Sequence, residues 1–366
     1  MTGPRRFRRR PWLAGLALGF GLLLAIGLLE GVLRVFDPIG AHYVTDTNLF
    51  LAQALRFRWE GLPPAAPGQL PAGLDLDGRL FELKPDLDVS LGSFRLRTNA
   101  LGCRGPAVAM PKPADVFRVV VLGDSVVFGW GVDEQVTFVR RLQDEWQAGA
   151  SGKRLEVVNL GLPMYDTHQE LASLREVGLG LAPDLVLLVY VVNDVEPTRD
   201  GVESLFLGKP VVDEFQARMP DDFWSWFGAK VGSVLPSTGA LLGTCTDWEW
   251  RVRQAVPSGE QYAPERFGRG VRGWPRSCTA LLAIRDACAE AAVPLLVLDH
   301  TLPAVPSLPP FCREHGIELA ELRFAPADHA LGIVNSRIDS HANARGHDLL
   351  LQRLRRILDE RKLLPR

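Results

Sequence analysis

The stretch Phe117-Arg-Val-Val-Val-Leu-Gly-Asp-Ser-Val-Val-Phe-Gly-Trp-Gly-Val132 decides how the rest of the chain is read. Phe117 to Leu122 is a short apolar, β-branched run of the kind that forms a strand buried on both faces. It stops abruptly at Gly123-Asp124-Ser125. Open α/β sheets bind their ligands just beyond the carboxyl ends of parallel strands, and Ser125 stands there. Gly, Asp and Ser after a strand are also ordinary turn chemistry. The residues downstream separate the two readings.

Working outward, strand-like and helix-like patterns alternate. Leu155–Leu160 and Leu185–Val192 read as the second and third strands, with helices predicted near Thr137–Gln147 and His168–Gly180. A helix near Arg276–Ala291, a strand Pro294–Leu298 and a last helix near Ala342–Arg361 complete the series. That order predicts an α/β fold, a doubly wound parallel sheet with flavodoxin-like layering. The rhythm is broken at about residues 196–275, which hold Trp224, Trp226, Trp248, Trp250 and Trp274. The interruption reads as a lid over an apolar or sugar-like substrate, as a patch resting on a membrane, or as a small helical unit with tryptophans for a core.

Upstream, Trp12 to Leu29 carries neither charge nor proline, and Gly31 to Phe36 can extend the run to the length of a membrane span. Arg5, Arg6, Arg8, Arg9 and Arg10 precede it. By the positive-inside rule they place residues 1–10 in the cytoplasm and the body of the chain beyond the membrane. A small-x-small cleavage site is missing after the run, so residues 11–36 read as an uncleaved anchor rather than a signal peptide. Glu30 and Arg34, one helical turn apart, would pair near the far interface. Residues 37–115 read as a linker and a small irregular β region, and residues 116–366 as the main domain.

A formal charge of −2 and the absence of a basic stripe give no reason to expect a nucleic-acid partner. The five cysteines, Cys103, Cys245, Cys278, Cys288 and Cys312, show no zinc spacing, and an odd number leaves at least one unpaired within the chain.

Four separated blocks carry the chemistry. Ser125 follows the first strand, Gly161 the second and Asn193-Asp194 the third, while Asp339-Ser340-His341 is expected to open the last helix. A serine hydroxyl is a weak nucleophile until an imidazole takes its proton, and the imidazole needs a carboxylate to fix its tautomer. The oxyanion formed on attack needs donors, which the N–H groups of Ser125 and Gly161 and the Asn193 amide would supply. His341 is then the base and Asp339 its orienter.

These blocks resemble those of the SGNH, or GDSL-type, hydrolase superfamily: Gly123-Asp124-Ser125 is similar to its first block, Gly161 to its second, Asn193-Asp194 to its third, and Asp339 with His341 to its last. The resemblance runs from about residue 116 to the C-terminus, the interruption excepted. It implies an esterase, lipase, thioesterase, carbohydrate acetylesterase or acyltransferase that needs no metal or organic cofactor. Two positions depart from the pattern. Val191 stands where the third block has glycine, and a single residue separates Asp339 from His341 where the family often has two. Val127 in place of a second glycine argues against the nucleophile elbow of α/β-hydrolases.

Of the other histidines, His300 follows a predicted strand and is the one competitor for the base. His347 is expected to pack or cap, and no histidine pair has metal-ligand spacing. The sequence thus leads to a membrane-anchored, extracytoplasmic (periplasmic) serine esterase acting on acyl or acetyl esters of lipids or glycans. An O-acyltransferase of cell-envelope glycans and a non-catalytic envelope-binding protein on the same fold are the alternatives.

Overall fold

The computed structural model describes residues 11–37, 40, 42–146, 152–195, 273–302, 304–336 and 339–365, with positions 202, 206, 234, 235 and 238. Most of the tryptophan-bearing interruption, including Trp224, Trp226, Trp248 and Trp250, lies outside the described residues. Trp274 lies inside, 8% exposed and edge-on to Phe311.

Five parallel strands form the main sheet: β5 (Val116–Leu122), β6 (Arg154–Asn159), β7 (Leu185–Tyr190), β8 (Leu295–Asp299) and β9 (Leu319–Glu321). Their order is β6-β5-β7-β8-β9. Numbered along the sheet-forming chain this is 2-1-3-4-5, the doubly wound order whose switch point lies between the first and third strands. The side chains of β5 explain why this strand is central. Val119 and Val121 join one apolar cluster with helices α4 (Phe138–Asp144) and α8 (Ala344–Glu360). Val120 and Leu122 join another with α5 (Thr167–Ser173), α6 (Gly273–Glu290) and α7 (Leu308–Glu314). Alternation on a pleated strand sends neighbours to opposite faces, so an unbroken Val-Val-Val-Leu run serves both layers.

Arg118, the one charged residue of β5, is wholly buried at the amino end of the strand. Its guanidinium donates to the carbonyls of Leu181 (2.6 Å) and Ala109 (2.8 Å) and pairs with Glu156. A buried cation is tolerated when it is paired and hydrogen-bonded in this way.

The element boundaries follow the sequence reading with local differences. The third strand ends at Tyr190, because Val192–Val195 turn into a 3₁₀ segment, with Asp194 Oδ2 accepting from the Val191 N–H at 2.6 Å. Asp339-Ser340-His341 does not open the last helix. It lies in the loop before it, and Asn343 is the cap, its side chain accepting from the N–H groups of Arg345 and Gly346. Among the elements without a clear sequence signal are α7 and the three-residue β9, the latter too short for a period to show.

Ahead of the sheet, α1 (Pro11–Phe36) is followed by α2 (His42–Gln53), β1 (Leu55–Phe57) and β2 (Phe81–Leu83), which pair antiparallel, and the hairpin β3 (Asp88–Ser90) and β4 (Arg95–Arg97). α1 is the one described helix long and apolar enough to cross a membrane. The small elements enclose a third apolar core, in which Phe50, Leu80, Phe81, Leu91 and Phe94 meet Phe128, Trp130, Leu162 and Tyr165 of the main domain. Arg104 crosses the same boundary. It donates to the carbonyls of Phe128 and Gly129 (both 2.7 Å) and Val132 (2.6 Å) and lies over the rings of Phe94 and Phe128.

Candidate active site

Ser125 opens the short helix α3 (Ser125–Phe128), which leaves the carboxyl end of β5, and Asp124 caps that helix by accepting from the Val126 N–H at 2.9 Å. The last loop of the chain brings His341 across the sheet. Its Nε2 lies 2.9 Å from Ser125 Oγ, and its Nδ1 lies 2.8 Å from Asp339 Oδ1. A proton on Nδ1 directed at the carboxylate leaves the Nε2 lone pair for the serine hydroxyl, the arrangement a general base needs.

One intervening residue suffices because Asp339 Oδ1 also accepts from the His341 backbone N–H at 3.0 Å. The same oxygen therefore fixes both the turn and the ring. Trp130 Nε1 donates to Asp339 Oδ2 at 3.1 Å, and Asn335 Nδ2 donates to Oδ1 at 3.3 Å. Burial pushes the Asp339 carboxyl up, but the hydrogen bond and charge of His341, its backbone N–H and Asn335 outweigh burial and hold it below the usual range. It remains an anion facing the imidazole. Neither Trp130 nor Asn335 was singled out in the sequence. Their contacts with Asp339 depend on the folded loop.

The residues expected to serve as oxyanion donors are placed less uniformly. Asn193 follows β7, and its side chain is hydrogen-bonded to Asp124 beside the nucleophile. Gly161 also stands at the nucleophile turn, but its N–H donates to Asn159 Oδ1 at 2.9 Å. The need for glycine there is steric. A Cβ at 161 would lie 2.6 Å from Val127 Cβ and 2.7 Å from the Phe128 nitrogen, so any side chain would push α3 away from its seat.

His300 is not brought to Ser125. It is buried edge-on to Phe324, its Nδ1 lies 3.2 Å from the Leu322 carbonyl, and burial pushes its pKa down to about 4. His347 packs, as expected: it stacks on Phe138, accepts that residue's N–H at 3.2 Å, and burial pushes it down to about 3. Cys103, Cys278, Cys288 and Cys312 are free thiols.

A group of buried carboxyls under the nucleophile went unread in the sequence. Asp124, Glu170 and Asp194 are all buried. Asp194 accepts from Thr167 Oγ1 at 2.9 Å, and Thr167 continues through Ser277 Oγ (2.8 Å) to Tyr190 OH (2.7 Å). Among the described residues neither Glu170 oxygen meets an N–H or O–H donor. Glu170 instead lies beside Asp194, and burial raises both carboxyls well above the usual range, so the pair favours holding a proton. Burial first, and then the Asp194 charge, push Glu170 well above the carboxylate range.

A pKa raised by folding supplies stability that is complete below the unfolded value of about 4.3 and is lost as pH rises through the folded value. Glu170→Gln keeps a donor to Asp194 and cannot ionise. It should therefore raise the melting temperature at neutral pH by an amount that grows toward alkaline pH, while Glu170→Ala should lower it. Thermal unfolding of both variants across that pH range checks the sign, and a Gln variant that melts lower than the parent throughout removes the shared proton.

No protein-family model matches the chain, and no curated protein matches its sequence. Solved structures do resemble it. The psychrotrophic esterase EstA from Pseudoalteromonas sp. is 13% identical, with 66% of this chain and 97% of that one covered and a TM-score of 0.38. A GDSL-like lipase from Bacteroides thetaiotaomicron is 11% identical, covering 69% and 92% with a TM-score of 0.33. An acetyl xylan esterase is 11% identical, covering 66% and 100% with a TM-score of 0.37.

Proposed function

We propose that this chain is a serine ester hydrolase of the SGNH, or GDSL, type, held to a membrane by α1 and acting on its extracytoplasmic side. The observation that carries the reading is the continuous relay Asp339–His341–Ser125, with both links under 3 Å, at the switch point of a doubly wound sheet. Polar residues from separate elements do not align donor to acceptor in this way for packing alone.

In the reaction Ser125 Oγ bonds to the acyl carbon of an ester while its proton passes to His341 Nε2. Asp339 stabilises the imidazolium that results. The ester carbonyl oxygen gains the negative charge and is met by the Ser125 N–H, at the first turn of α3, and by the Asn193 amide. Because the Gly161 N–H is directed at Asn159, Gly161 acts mainly as the seat of α3 and contributes as a donor only when it is shared. Collapse breaks the bond to the alkoxy oxygen, which takes the proton from His341 and leaves as the alcohol. Water, deprotonated by the same imidazole, then releases the acid and regenerates Ser125. An acceptor hydroxyl in place of that water would make the same site an O-acyltransferase.

The test is a serine-reactive fluorophosphonate probe together with para-nitrophenyl acetate. The full chain should bind the probe covalently at Ser125, mapped by peptide mass, and should hydrolyse the ester. A chain that is folded yet neither labelled nor active would leave a binding protein on this fold.

A further inference from the structure

Among the described residues, the apolar helix α1 meets the rest of the protein near its carboxyl end. Its residues from Trp12 to Ala25 are exposed, whereas Glu30 and Leu33 are buried at 6% and 5% exposure. Glu30 is bonded on both sides: Arg34 Nε donates to it at 2.7 Å, and Thr238, from the interruption, donates through both its N–H and its Oγ1 at 2.8 Å. The domain is therefore seated against the helix at the first charged residue after the apolar run, where a span reaches the headgroups.

From that seat toward the catalytic loop the described residues are tied by short-range hydrogen bonds. The helix ends about 9 Å beyond Glu30, at 1.5 Å per residue. Asp37 N–H then donates to the Leu33 carbonyl, Gly40 N–H to Asp37, and Tyr43 N–H to Gly40, a succession of tight turns instead of an extended tether. Gly40 lies directly on the loop that carries the catalytic acid, since a Cβ there would fall 2.3 Å from Ser336 Cβ. Ser336 in turn exchanges hydrogen bonds with the Asp339 backbone, its Oγ accepting at 3.0 Å and its N–H donating at 3.1 Å. Tyr43, the next residue to pack, lies near Asn335 and Gly131 and feels the Asp339 charge. The ends of the interruption flank the site too: Val195 follows Asn193, and Gly273 packs on the Val195 carbonyl.

An active site fixed this way cannot range over polymer far from the membrane and stays beside the bilayer that holds α1. Resting on the anchored-hydrolase reading, we propose that the acyl ester attacked by Ser125 belongs to a lipid of the bilayer that holds α1, and that the Asp37–Tyr43 turn holds the site at the depth of that ester. The lipid's acyl carbon bonds to Ser125 Oγ, and the deacylated lipid leaves as the alcohol with the proton from His341.

The test uses the full chain in phosphatidylcholine vesicles bearing a minor fraction of a self-quenched fluorescent diacyl glycerophospholipid. The reporter should be cleaved at least about tenfold faster in the enzyme's own vesicles than in enzyme-free vesicles mixed in at the same total concentration, since co-residence raises effective concentration. A flexible Gly/Ser segment inserted between Phe36 and Asp37 should cut that cleavage about tenfold and leave para-nitrophenyl acetate hydrolysis within about twofold, because it frees the depth of the site without touching the relay. Equal cleavage in the two vesicle populations, no lipid cleavage by an enzyme active on the aryl ester, or a spacer variant as fast on lipid as the parent would each overturn the proposal. Loss of aryl-ester hydrolysis and probe labelling in the unaltered chain would instead overturn the hydrolase reading beneath it.

Discussion

Ser125→Ala and His341→Ala are each expected to lower kcat on an aryl ester by at least about a thousandfold, while His300→Ala changes it by less than about twofold. The two large losses should not add in the double variant, because serine and imidazole act as one proton-transfer unit. In the proposed mechanism Ser125 is the nucleophile, and His341 is the only described histidine whose ring nitrogen reaches it, at 2.9 Å. His300 is already committed to the Leu322 carbonyl inside the core. The comparison requires matched folded fractions, which far-ultraviolet circular dichroism provides. A dead His300→Ala beside an active His341→Ala would assign the base to the wrong loop and take the mechanism with it.

Asn193→Ala is expected to cost about a hundred- to a thousandfold in kcat with KM nearly unchanged, the signature of a donor used chiefly in the transition state. Asn193 stands in the 3₁₀ turn after β7, within hydrogen-bonding range of Asp124. If that bond to Asp124 were its whole purpose, Asn193→Ala would loosen the nucleophile turn and lower the melting temperature while kcat fell only slightly. Steady-state kinetics and thermal unfolding on the same preparation distinguish the two outcomes.

The parts of the site legible in the sequence are those written at strand ends. Ser125, Gly161 and Asn193 each follow an apolar run, and a parallel sheet gathers such ends at one edge whatever the connections do. The positions of His341 and Asp339 were legible through motif order, although their loop was expected inside a helix. What could not be read depends on contacts between residues far apart in the chain. Trp130 and Asp339 are 209 positions apart, and Thr238 and Glu30 are 208 apart. No local period reports either pairing. The partner of the Gly161 N–H was not legible for a subtler reason. Glycine signals close approach but not which atom approaches, and here it is Val127 and the Phe128 nitrogen. Glu170 looked like any polar residue on a short helix, and only its burial beside Asp194 sets it apart.

The guanidinium of Arg104 has a practical consequence for anyone wishing to work without the apolar helix α1. It lies well ahead of the sheet, yet it gathers the carbonyls of Phe128, Gly129 and Val132, the backbone just after Ser125. Phe50 of α2 presses on Trp130, whose indole in turn holds Asp339. A water-soluble fragment cut at the start of the sheet, near Val116, would discard both supports and expose the apolar side of the nucleophile turn. The cut that preserves them falls in the few residues between the end of α1 and His42, so the piece worth expressing is far longer than the sheet alone.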